Sequence, residues 1–128
     1  MPEMEKLTIN LTPVDLGRIE LLVEQGVYAN RAEFIRTAIQ GQLGKHEDAV
    51  RETAARQSMV VGAMVYSRRG LEEIRAKGER IHLRVVGILS IADDVTPELA
   101  REVIESVKVR GIYRAGAAVK EALADRTS

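Results

Sequence analysis

The sequence predicts an α+β chain in two parts. A short strand and two helices come first, and a small α/β domain of three strand–helix repeats follows. Three observations carry this reading. Residues 6–12 alternate polar and apolar side chains, the period-2 pattern of a strand with one wet and one buried face. Two helix starts at Thr12 and Asn30 carry capping residues in the right order. Gly62, Gly87 and Gly111, spaced 25 and 24 residues apart, bring three aliphatic runs into register.

In the first element Leu7, Ile9 and Leu11 point one way, and Lys6, Thr8 and Asn10 the other. The strand has no partner within its own domain. A lone strand does not persist in water, so it is expected to pair with the same strand of a second chain. Such a two-stranded ribbon, presenting a cation, a hydroxyl and an amide, fits the major groove of DNA and can read base edges there.

The first helix is expected over residues 13–25. Thr12 is its N-cap, Pro13 suits N1 and Asp15 sits at N3. Leu16, Ile19, Leu22 and Val23 form an apolar stripe at helical spacing, and Gly26 ends it. Asn30 caps a second helix over residues 31–43, with Glu33 three residues on. Phe34, Ile35, Ala38, Ile39 and Leu43 form its buried face, while Gly41 and Gly44 weaken its end. About 45 residues cannot bury a core alone. An intertwined dimer supplies both the core and the missing strand.

Residues 4–45 resemble the ribbon-helix-helix family of DNA-binding proteins, the group of the CopG, MetJ and Arc repressors. The carrying segments are Lys6-Leu7-Thr8-Ile9-Asn10-Leu11-Thr12 and Asn30-Arg31-Ala32-Glu33-Phe34-Ile35-Arg36-Thr37-Ala38-Ile39. The resemblance implies that Lys6, Thr8 and Asn10 contact bases. It implies that Asn30 and Arg31, with Arg36, fix the DNA backbone, the helix start gripping a phosphate. The first outward strand position is often Arg in this family. Lys6 lacks the bidentate fork toward guanine, which softens specificity there.

Residues 44–58 are polar and rich in Ala, and read as a helical or semi-flexible linker that holds His46 as a solvated side chain. The domain organisation is then residues 1–44 for DNA binding and dimerisation, 45–58 as linker, and 59–128 for assembly or regulation.

In the repeats, Val60, Val85 and Val109 align two before the glycine, and Met64, Leu89 and Tyr113 two after it. Helices are expected near residues 69–77, after the Thr96 cap with Pro97 at N1, and over 117–124. Strand–helix units of this length stack into a short parallel solenoid, as in leucine-rich repeats. The alternative is an open ferredoxin-like or ACT-like domain, as in nickel-responsive regulators, although helices follow every strand here. Leu83, Val85, Leu89, Ile91, Val107, Val109 and Tyr113 are expected inside. His82, Arg84, Lys108, Arg110 and Arg114 fall on the other face with Val86, Ile88 and Ile112. That band reads first as a solvated face, and secondly as a seat for an anion or for more DNA.

Composition narrows the function. Formal net charge is zero, from 19 Lys and Arg against 19 Asp and Glu, so DNA binding must rest on where charge is placed. There is no cysteine and only His46 and His82, which excludes disulfides and thiolate metal sites; no metal or cofactor is expected. No apolar run is long enough to cross a membrane and no secretory signal is evident, so the expected location is the cytoplasm. An enzyme is not expected: there is no cysteine nucleophile, no acid–base motif around a histidine and no phosphate loop. Asp93-Asp94 reads as turn and capping chemistry. The leading expectation is a homodimeric, sequence-specific repressor on double-stranded DNA. A second is an antitoxin, or another partner-binding protein that regulates itself. A third adds assembly to tetramers or larger through the C-terminal repeats.

Overall fold

The computed structural model describes residues 4–128; the first three residues, part of the charge count and of the N-terminal reading above, lie outside the described residues. The chain forms two compact units, Met1–Asp48 and Ala49–Ser128.

The first unit holds α1 (Pro13–Glu24) and α2 (Arg31–Lys45). The Thr12 hydroxyl accepts the Asp15 N–H at 3.2 Å, with Pro13 in the first turn. At the far end Val27 N–H reaches the Leu22 carbonyl and Gly26 N–H the Val23 carbonyl, a Schellman closure. Asn30 Oδ1 accepts the Glu33 N–H at 2.8 Å. Glu33 reaches back to Ala29 N–H at 2.6 Å, so the capping box closes one residue before the cap. The rings of Tyr28 and Phe34 meet edge to face at 5.0 Å, which fixes the turn against α2. Beyond the expected end at residue 43, α2 runs to Lys45. Gly41 and Gly44 each lower helix propensity by about 1 kcal/mol without stopping it.

The 44–58 stretch is mostly one helix, α3 (Glu47–Arg56), with Ala54 buried. Its closure repeats that of α1, with Met59 N–H on the Ala54 carbonyl at 2.7 Å. The residue that turns the chain there is Ser58, at φ +54°. A side chain in this region is strained by about 1–2 kcal/mol. Ser58→Gly is therefore expected to raise stability by about 0.5–1 kcal/mol, the strain relieved exceeding the extra entropy of an unfolded glycine. Urea denaturation checks this; a lower midpoint would show that the Ser58 side chain matters in the folded state.

The second unit alternates β1 (Val60–Tyr66), α4 (Arg68–Ala76), β2 (Ile81–Ile91), α5 (Pro97–Val103), β3 (Ile104–Arg114) and α6 (Ala117–Ala122), and ends in a 3-10 turn at Ala124–Arg126. The strands form one sheet in the order β1-β2-β3. Both pairings are parallel, unlike the antiparallel neighbours of a ferredoxin-like sheet. Val60 pairs with Val85, Gly62 with Gly87 and Met64 with Leu89. Val85 in turn pairs with Val109, Gly87 with Gly111 and Leu89 with Tyr113, which is the register that aligning the three glycines gives.

The glycines stack for a steric reason. A Cβ built on Gly87 lies 2.0 Å from the Gly62 carbonyl oxygen, and one on Gly111 lies 2.0 Å from that of Gly87. Their φ values, +137° and +129°, belong to the region that side chains avoid.

Leu83, Val85, Leu89, Ile91 and Val107 are buried against Leu71 of α4, Leu99 and Val103 of α5 and Val119 of α6, and Val109 and Tyr113 are half-buried there. Thr96 caps α5 by accepting the Leu99 N–H at 3.2 Å. Asp94 accepts the N–H of Arg68, tying the loop after β2 to the start of α4. Arg101 grips both carboxylate oxygens of Asp125, at 2.9 and 3.2 Å, and that contact holds the carboxyl below its usual range. Beyond the last turn Thr127 bridges Val107 in parallel along the outer edge of β3.

Candidate nucleic-acid interface

The interface grows from a surplus of apolar side chains. Among the described residues of the first unit only Ile19 is buried. Leu16, Phe34 and Ile35 are half-covered, and α2 buries nothing fully. Leu7 is 81 % exposed, Ile9 58 % and Leu11 40 %, all in a segment without regular secondary structure in the single chain. Ile9, Leu11, Leu16, Ile19 and Ile35 line a groove of about 600 Å³ beside the start of α2. The exposed apolar residues Ile9 and Leu11, at alternate positions of that segment, thus border the groove.

Lys6, Thr8 and Asn10 are exposed and lie in the same segment. Lys6 forms no ion pair among the described residues. In an extended chain these three share one face and the leucines and isoleucine the other.

The first turn of α2 is a second feature. Asn30 accepts from Glu33, and the N–H groups of Arg31 and Ala32 have no partner among the described residues. Free N–H groups at the positive end of a helix suit a phosphate. Arg31 lies at 3.6 Å from Glu20 on α1, so its charge is partly offset. Arg36 is exposed and makes no ion pair among the described residues, but five positions on it lies about 140° around the helix from Arg31. Asn30 and Arg31 are thus brought together with the helix start, and Arg36 is not. The Glu20–Arg31 contact joins two helices and has no signal in sequence spacing.

Among the described residues no group of three or more His, Asp or Glu could hold a metal ion, and no helix is long and apolar enough to cross a membrane.

The chain is similar, at 33 % identity over 45 residues, to the transcriptional regulator CdrS of Halobacterium salinarum, a match covering 35 % of this chain and 82 % of that protein. No solved structure matches. A model of the ribbon-helix-helix transcriptional regulator family matches residues 2–120, nearly the whole chain. The protein belongs to the ribbon-helix-helix transcriptional regulator family.

Proposed function

We propose that the protein is a homodimeric, sequence-specific repressor acting in the cytoplasm. Residues 6–12 of two chains pair into a ribbon, and Lys6, Thr8 and Asn10 read bases in the major groove. Asn30 and Arg31 at the start of α2 hold a phosphate, and Arg36 meets the backbone elsewhere. Residues 1–44 bind DNA, 45–58 link and 59–128 regulate or assemble. The observation that carries this reading is that, among the described residues of the first unit, only Ile19 is buried, beside three exposed apolar residues at alternate positions. A second copy removes both deficits at once. The folded second unit favours a repressor over an antitoxin that holds its toxin with a disordered segment.

Fluorescence anisotropy on the region upstream of the protein's own gene, with random DNA as competitor and salt varied, tests the reading. Thr8→Ala and Asn10→Ala should each weaken cognate binding by about 1–3 kcal/mol and leave random DNA unaffected. Arg31→Ala and Arg36→Ala should weaken both and flatten the salt dependence by about one counterion each. Full operator affinity after joint replacement of Lys6, Thr8 and Asn10 by Ala would remove the ribbon from the DNA.

A further inference from the structure

The open face of the sheet carries cations of a different kind from those on the helical side. On that side Arg68, Arg69, Arg75, Arg80 and Arg101 each pair with a carboxylate. On the open face Arg84 stands directly opposite Lys108 on the neighbouring strand, and Arg110 follows two residues along β3, opposite Val86. Like charges directly opposite each other destabilise a sheet. Among the described residues none of these three pairs with an acidic side chain. Arg84 donates to the Gln57 carbonyl oxygen at 3.4 Å and Lys108 to the Gln57 side-chain oxygen at 2.5 Å. Arg110 reaches the Val109 carbonyl oxygen at 3.1 Å and a carboxylate oxygen of the terminal Ser128 at 3.3 Å, so its charge is already met. Arg84 and Lys108 are both half-buried, so their repulsion is less screened than that of surface charges.

Two cavities meet at this cluster. One, of about 360 Å³, is lined by Gln57, Arg84, Ser106, Val107 and Lys108, with the terminal Ser128 at its edge. The other, of about 430 Å³, lies between α3 and the sheet, with Val50, Ala54, Met59 and Val86 along it and Lys108 and Arg110 at its border. Gln57 and Lys108 belong to both. A mostly apolar cleft that ends in a few convergent polar groups is the usual form of a small-molecule site, and both volumes lie in the usual range.

We propose that this face binds a small amphiphilic anion: an aliphatic body in the cleft under α3, and a carboxylate or phosphate head between Arg84 and Lys108. The head takes the place of Gln57 on Lys108, and the guanidinium of Arg84 meets two of its oxygens. The body covers Val50 and Val86. A phosphate of DNA would satisfy the cations but has nothing to fill the cleft, which favours the small amphiphile. Binding here does not depend on the DNA-reading role of the first unit.

Isothermal titration calorimetry of the full chain with octanoate, octyl phosphate and inorganic phosphate at fixed ionic strength tests this. Both amphiphiles should bind saturably at one site per chain, about tenfold or more tighter than inorganic phosphate, because only they bury an apolar body. Saturation by only one of them identifies the head group the site takes. Lys108→Gln and Arg84→Gln should each weaken that binding about tenfold or more, the loss of one charge-assisted hydrogen bond. Val50→Ser should weaken octanoate and leave inorganic phosphate unchanged. Thermal melts of the same variants, expected to be unlowered because a repulsive pair is relieved, separate loss of binding from loss of fold. Absence of saturable binding by either amphiphile, or binding indifferent to Lys108→Gln and Arg84→Gln in folded protein, overturns the proposal. So does inorganic phosphate binding as tightly as octanoate, or a weakened grip on duplex DNA by these variants without amphiphile binding, which assigns the cluster to the DNA backbone.

Discussion

Gly87→Ala is expected to unfold most of the second unit, at a cost of about 3–5 kcal/mol, near the top of what one substitution does. Two terms add. The backbone at φ +137° is strained for any side chain, by about 1–3 kcal/mol. The new methyl group would also sit 2.0 Å from the Gly62 carbonyl oxygen, a main-chain atom that cannot turn aside. The strands would have to part at the centre of the sheet, against Leu83, Val85 and Leu89 in the core. Gly111→Ala should cost nearly as much, since its methyl meets the Gly87 carbonyl oxygen at the same 2.0 Å. Gly62→Ala provides the contrast. Its φ is +139°, but nothing lies within 4 Å of the added atom, so only the backbone strain of about 1–3 kcal/mol applies. Urea titrations of the three variants, followed by circular dichroism, rank them. Equal losses at Gly62 and Gly87 would show that strain alone, and not the approach of neighbouring strands, selects glycine in this ladder.

The same ladder shows why the second unit was legible in the sequence. A parallel sheet with short crossovers brings equivalent positions of successive units side by side, so a packing requirement in space becomes a period along the chain. Gly62, Gly87 and Gly111 are that requirement, and the valines two places earlier follow them. The caps were legible for the opposite reason. Thr12, Asn30 and Thr96 each bond an N–H three residues away, so each motif is complete within four residues. What resisted reading was contact without period. Gln57 reaches Lys108 across 51 residues and Arg84 across 27, and α3 roofs the cleft beside the cluster. From alternation alone, Arg84 and Lys108 belong to a solvated face. In the structure they are half-buried under the stretch that reads as a linker. α2 runs two residues past the end its glycines suggest, to Lys45, because a glycine penalty of about 1 kcal/mol is smaller than the gain from continuing a helix into its next turn. The segment 4–12 is a third case. Its alternation is plain, but a strand takes its ladder hydrogen bonds from a neighbour, and in the single chain residues 4–12 have no regular secondary structure.

Ile9→Asp should abolish both dimerisation and operator binding. Ile9 is 58 % exposed and lines the groove with Leu11, Leu16, Ile19 and Ile35. On the ribbon reading, a second chain closes that groove and Ile9 becomes part of a shared core. Aspartate there either stays charged without a partner or is protonated, and its burial costs several kcal/mol on each of two chains. Since only Ile19 is buried among its described residues, the first unit has little stability of its own to offset that cost. Light scattering should fall from twice the chain mass of 14.1 kDa toward a single chain, while the sheet signal of the second unit persists. The neighbouring Thr8→Ala, one position along and on the opposite face, should keep the dimer and lose only the operator. This split between adjacent residues is the signature of an alternating strand with a dry side and a reading side. If Ile9→Asp leaves mass and DNA affinity unchanged, the apolar side of residues 6–12 faces no partner. If Thr8→Ala breaks the dimer as well, the two faces do not divide the work.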